Sequence, residues 1–189
     1  KVDKKILPAF TEDDVQKILR ACESERDEAI VLFLLDTGLR ATELINLNAG
    51  DIETKTGAVY VRLGKGRKDR TVYVGARPLK QLLRYRPDFH KLSESAHVWR
   101  NEWTGERLTD SGLRQLLERV GERASVKHCS PHTFRRTFAL WSLRNGMSIY
   151  HLQRLMGHAD ISVLRQYLDL VQADLQVAHE QYGVVDNLL

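Results

Sequence analysis

The chain has 189 residues, 42% of them hydrophobic, which is enough for one substantial domain with its own core and excludes a disordered or low-complexity polypeptide. Its formal net charge of +4 is uneven: residues 169–189 carry Asp169, Asp174, Glu180 and Asp186 and no Lys or Arg, which leaves +8 on residues 1–168, a field suited to a polyanion. Two cysteines, Cys22 and Cys129, without CxxC spacing exclude a disulfide framework, and the longest apolar run, residues 29–35, is far below the ~20 residues of a membrane span.

These features point to a soluble, cytoplasmic protein; the opening KVDKK, without a methionine, is that expected of a piece of something longer. In chain order, Thr11 followed by Glu12, Asp13 and Asp14 is an N-cap with an acidic first turn, and Val15, Ile18 and Leu19 continue a helical stripe. A second helix, 26–37, is apolar through AIVLFLL and stops at Gly38. Leu44, Ile45 and Leu47 mark a short third helix beginning just after Arg40. Between residues 51 and 74 the period changes to two: Val59, Val61 and Leu63 alternate with Tyr60 and Arg62, and Val72 and Val74 alternate with Thr71 and Tyr73. This predicts a small antiparallel sheet whose turn, GKGRKD at 64–69, crowds Lys65, Arg67 and Lys68 onto one tip. Helical patterns resume at 76–86, 109–123, 133–145, 149–156 and 162–170, the second being marked by Leu113, Leu116, Leu117 and Val120.

Five places hold polar residues that a plain helical domain does not need. In TGLRATEL, residues 37–44, Arg40 and Glu43 lie three apart on nearly one face; this is the spacing of a surface ion pair, or of a carboxylate that fixes a guanidinium for a bidentate grip on phosphate. The tip GKGRKDR is a solvated turn, or a mobile arm that brings Lys65 to a nucleic acid. In PHTFRRTF, residues 131–138, Pro131 favours a helix start; His132 is either a structural histidine there or a proton carrier beside Arg135. His158 follows Met156 and Gly157 at a turn, and Tyr167, four residues after Val163, belongs in the core by amphipathicity alone.

Taken together, TGLRATEL, the hairpin lysine in LGKGRKDR, PHTFRR and LMGHADISVLRQY resemble the catalytic domain of the tyrosine recombinases, or phage-type integrases, from about residue 9 to 170. The HxxR and the spacing of nine from His158 to Tyr167 match that family; Arg136, where many members have a second histidine, and RQYLDL, in place of threonine-rich surroundings, depart from it. The resemblance implies an α+β fold, mainly α-helical, with a small three-stranded antiparallel sheet on one side of a helical catalytic domain spanning 1–170. Val171, Leu175 and Ala178 form an apolar stripe in the tail, 171–189, and the resemblance implies that such a tail packs in trans on a neighbouring protomer and that an N-terminal DNA-clamping domain lies outside this chain.

The implied activity is site-specific recombination of double-stranded DNA through a 3′-phosphotyrosine, without metal, ATP or other cofactor. Tyr167 is the implied nucleophile, His132 the general base or positioning group, and Lys65 the acid for the leaving 5′ oxygen. Arg40, Arg135 and His158 hold the phosphate, with Glu43 orienting Arg40, and Arg67, Lys68 and Arg70 are assigned to the DNA backbone. A homotetramer on DNA is expected at full length, and a monomer for an isolated fragment. The competing readings are a type IB topoisomerase, a DNA-binding module without catalysis, and a metal-dependent nuclease using His132 and His158.

Overall fold

A computed structural model of the chain describes residues 9–62 and 69–157. The helix starts follow their caps. Thr11 accepts from the Asp14 N–H at 3.1 Å while Asp14 accepts from the Thr11 N–H at 2.9 Å, and α1, Glu12–Arg20, begins there. Ser24 caps α2, Glu25–Thr37, which ends at Gly38 with φ +60°. That glycine is required twice over, since a Cβ on it would also lie 2.2 Å from the Phe138 ring. Ala29, Ile30, Val31, Phe33 and Leu34 of α2 are fully buried, as its continuous apolar run requires, and its neighbours are α4, Ala76–Tyr85, and α6, Pro131–Arg144.

The short α3, Ala41–Ile45, leads into a sheet of β1, Ile52–Glu53, β2, Ala58–Val61, and β3, Arg70–Tyr73, in the order β1-β2-β3, all antiparallel. The mainly helical α+β expectation, with a three-stranded sheet, therefore holds. Val59, Val61 and Val72 face inward and Tyr60 and Tyr73 outward, so the alternation has its physical cause in one buried face. Val61 lies opposite Arg70, and residues 62–69 join the two strands.

The stretch between α4 and α5, Asp110–Ala124, carries no periodicity, yet it holds one of the best-buried side chains. Trp99 is fully buried, edge-on to Phe33 at 5.2 Å and stacked with Tyr85 at 6.0 Å. Arg86 fixes this stretch by donating to the His97 and Val98 carbonyls at 2.9 and 3.1 Å. Both cysteines are free, and burial pushes the Cys22 and Cys129 thiols up to about 12, so neither is a thiolate at neutral pH. No helix among the described residues is long and apolar enough to cross a membrane.

Among the described residues the apolar interior has two parts. The larger surrounds α2 and takes in the sheet and α5; the smaller, Phe138, Ala139, Leu140, Leu143, Leu152 and Met156, joins α6 to α7, Ile149–Met156. The helix expected at 162–170 and the tail at 171–189 lie outside the described residues.

Candidate active site

Arg40 stands at the N-cap of α3 and Glu43 at its third position, where the carboxylate accepts from the Arg40 backbone N–H at 2.8 Å and from Arg40 Nη1 at 2.7 Å. Far along the chain, Ser130 caps α6, Pro131 takes its first position, and Thr133 donates to the His128 carbonyl at 2.7 Å. Phe134 is fully buried against Phe10, with ring centroids 4.9 Å apart. This anchoring turns the other face of α6 outward, with His132 exposed and Arg135 half-buried. Arg40, His132 and Arg135 then line one pocket of about 230 Å³ together with Ala41, Thr42 and Pro131.

The first turns of α3, α5 and α6 meet at this pocket. Asp110 and Arg114 of α5, ion-paired at 2.7 Å, complete the lining. Neither stands out in the sequence, where a Thr109-Asp110 helix start has no chemistry-bearing pattern around it.

Arginines also meet at the C-terminal end of α7. The last carbonyls of a helix have no partner within it, and here three consecutive ones each accept from a different element. Arg70 Nε donates to Leu155 O at 2.7 Å, Arg135 Nη2 to Met156 O at 2.5 Å, and Arg40 Nη2 to Gly157 O at 3.1 Å. Arg135 Nη1 donates in addition to Gly38 O at 2.6 Å, tying the end of α2 to the same corner. Positive side chains at a helix C-terminus are favoured by the dipole as well as by the hydrogen bonds.

Arg70 departs from the expectation that grouped it with Arg67 and Lys68 at the DNA backbone. Its side chain is only 8% exposed, and Nη1 and Nη2 each donate at 2.8 Å to one oxygen of Glu43, whose side chain is 4% exposed. A fork held in this way faces the protein, so the backbone-contact role does not fit Arg70. The signal that places it correctly is the strand period: Arg70 is two residues before the buried Val72, hence on the inward face of β3, whereas charge counting places it on the basic tip.

Glu43 thus lies between two guanidinium groups. Its burial alone would raise the carboxyl's pKa, but the Arg70 side chain, the Arg40 backbone N–H and the Arg40 side chain outweigh that and hold it down at about 2. The carboxylate stays ionised throughout the physiological range and keeps Arg40 oriented, which is more than a surface ion pair does. Lys65, Arg67, Lys68, His158 and Tyr167 lie outside the described residues.

Comparison with known proteins agrees with this geometry. The chain belongs to the phage integrase family, whose pattern matches residues 8–173. The tyrosine recombinase XerA of Pyrococcus furiosus is 34% identical over 195 residues, an alignment that takes in all of this chain and 66% of that protein. A crystal structure of XerA recombinase superimposes with a TM-score of 0.79 at 28% identity, over 94% of this chain and 65% of that one. The XerH site-specific recombinase bound to its palindromic difH substrate shares the fold, with a TM-score of 0.73 at 22% identity over 94% of this chain and 53% of that one. This chain therefore spans just under two thirds of the length of the XerA proteins it resembles.

Proposed function

We propose that this chain is the catalytic part of a site-specific DNA recombinase that cuts and rejoins strands through a covalent bond to Tyr167. The observation that carries the reading is the convergence of Arg40, His132 and Arg135 on one pocket from elements far apart in the sequence, with Glu43 fixing the first of them. Similarity to XerA over the whole chain supports the same reading, and the DNA-bound XerH structure supports double-stranded DNA as the partner.

In the proposed reaction the Tyr167 phenol oxygen attacks the scissile phosphorus and the bond to the 5′ oxygen breaks. One strand end is then held as a 3′-phosphotyrosine and the other leaves as a 5′ hydroxyl. A phenol with an ordinary pKa of about 10 must lose its proton in that step, and His132 receives or positions it. The proton for the departing 5′ oxygen comes from Lys65. Charge accumulates on the non-bridging oxygens, where Arg40, Arg135 and His158 hold them; preorganised donors of this kind contribute ~2.7–4 kcal/mol each. Arg67 and Lys68 contact the DNA backbone. Reversal, with a 5′ hydroxyl from a partner duplex, exchanges strands, and because the phosphotyrosine conserves the bond energy, neither ATP nor a metal is needed.

The finer assignments belong to the same proposal: action in the cytoplasm, a homotetramer on DNA for the full-length protein, and residues 171–189 seated on a neighbouring protomer. The test is a nicked suicide duplex carrying the site that the chain occupies in cells, in the presence of a chelator. A covalent protein–DNA adduct is expected with the wild-type chain and none with Tyr167→Phe. An adduct that persists in Tyr167→Phe overturns the mechanism, one that requires a divalent metal supports a nuclease, and relaxation of supercoils by isolated monomers supports a topoisomerase.

A further inference from the structure

We propose that Arg70 is a positioning residue that holds Glu43, and through it Arg40, in register with the end of α7 while Arg40 and Arg135 turn to the phosphate. The proposal rests on the recombinase reading for its catalytic consequence, and on geometry alone for the structural part.

Three arginines converge on α7, but they are not equivalent. Arg40 and Arg135 line the pocket, and the Arg40 side chain is 35% exposed. A guanidinium carries five N–H donors, and Arg40 gives one to Glu43 and one to Gly157 O, so it keeps others for a phosphate in the pocket while its position stays fixed. Arg70 does not line that pocket. Its Nη1 and Nη2 are on Glu43 and its Nε is on Leu155 O, so one rigid planar group spans β3, α3 and α7.

Two chemistry-bearing residues are close to this anchor along the chain. In sequence, His158 comes directly after Gly157 and Lys65 lies five residues before Arg70; both lie outside the described residues. A Cβ on Gly157 would lie 3.0 Å from the Arg70 side chain, so the α7 end and the guanidinium are in direct packing contact. Arg70 thus ties the start of β3 and the N-terminal end of α3 to the end of α7. Of the three arginine caps, Arg70 is the one whose hydrogen bonds run to Glu43 and Leu155 and whose side chain does not line the pocket.

Lysine cannot replace this group, because one ammonium cannot reach both Glu43 oxygens and Leu155 O in the same plane. The test compares wild type with Arg70→Lys and, as a variant without charge, Arg70→Met, each checked by thermal unfolding. The probe is the nicked duplex of sequence recovered from DNA covalently held by the wild-type chain. For Arg70→Lys, folded and at saturating DNA, single-turnover cleavage is expected to fall about 100-fold, with the Kd for the duplex unchanged within about threefold. The slope of log Kd against log salt is expected to stay as in wild type, whereas loss of a phosphate contact lowers it by about 1, as expected for Arg67→Gln.

A cleavage rate near wild type in Arg70→Lys, or a slope lowered by about 1, overturns the proposal; the second result returns Arg70 to the DNA backbone. If the wild-type chain forms no adduct with any duplex, the recombinase reading fails instead. The anchoring role is then decided without cleavage, by the salt slope on random duplex and by the Glu43 carboxyl followed by ¹³C NMR. In Arg70→Lys its titration should rise from about 2 toward the ordinary glutamate range, and an unmoved titration with a lowered slope overturns the anchoring role.

Discussion

The core around α2 and the corner where α6 meets α7 are built on different principles. Around α2, fully buried aliphatic and aromatic side chains meet, and Trp99 closes the assembly against Phe33. At the corner the apolar cluster is small, and the end of α7 is fixed by guanidinium groups reaching in from β3, α3 and α6. Apolar burial is non-directional and holds a fold together. Charge-assisted hydrogen bonds are directional and hold atoms at defined places. The first holds the body of the fold together, and the second fixes the end of α7 against β3, α3 and α6.

The contrast can be broken from either side. Phe33→Ala removes a fully buried ring from the larger cluster and is expected to cost about 3–5 kcal/mol, with stability and activity falling together in chemical denaturation and cleavage assays. Glu43→Gln leaves two guanidinium groups without their carboxylate, and a loss of about 3 kcal/mol at neutral pH is expected, as for a broken buried ion pair. The sign of its pH dependence is fixed. A folded-state pKa of about 2 lies below the ordinary value of 4.5, so the stabilisation is fully present above pH 4.5 and is lost as pH falls toward 2. Urea unfolding followed through that window should show the loss in wild type and a flatter profile in Glu43→Gln.

Leu152→Ala acts on the corner alone. A loss of about 2 kcal/mol is expected, at the low end for a buried leucine because its cluster is small and free to close up, while strand cleavage falls by more than the stability change accounts for. Equal losses of stability and activity would remove the distinction between the two regions.

Much of this was legible in the sequence, for local reasons. Thr11 followed by an acidic turn, Gly38 after an apolar run, and Pro131 before Phe134 and Phe138 each set a boundary through one or two residues, and the structure has helices beginning or ending there. Arg40, Glu43, His132 and Arg135 were identifiable as a group through family resemblance, although each alone reads as an ordinary surface or helix-start residue. What was not legible depends on contacts distant in the chain. The stretch containing Trp99 is ordered by Arg86, Phe33 and Tyr85 rather than by any period of its own. Arg70 looks like one more charge on a basic tip until the register Val61 to Arg70 puts it in the sheet, on the face it shares with Val72.

The proposal that the scissile phosphate occupies the pocket of Arg40, His132 and Arg135 meets its most direct test in Arg135→Lys, which keeps the charge and removes the fork. With the variant shown to be folded and the suicide duplex saturating, single-turnover adduct formation should fall by at least about 100-fold relative to wild type. A folded Arg135→Lys that forms the adduct within about threefold of the wild-type rate would place the phosphate elsewhere.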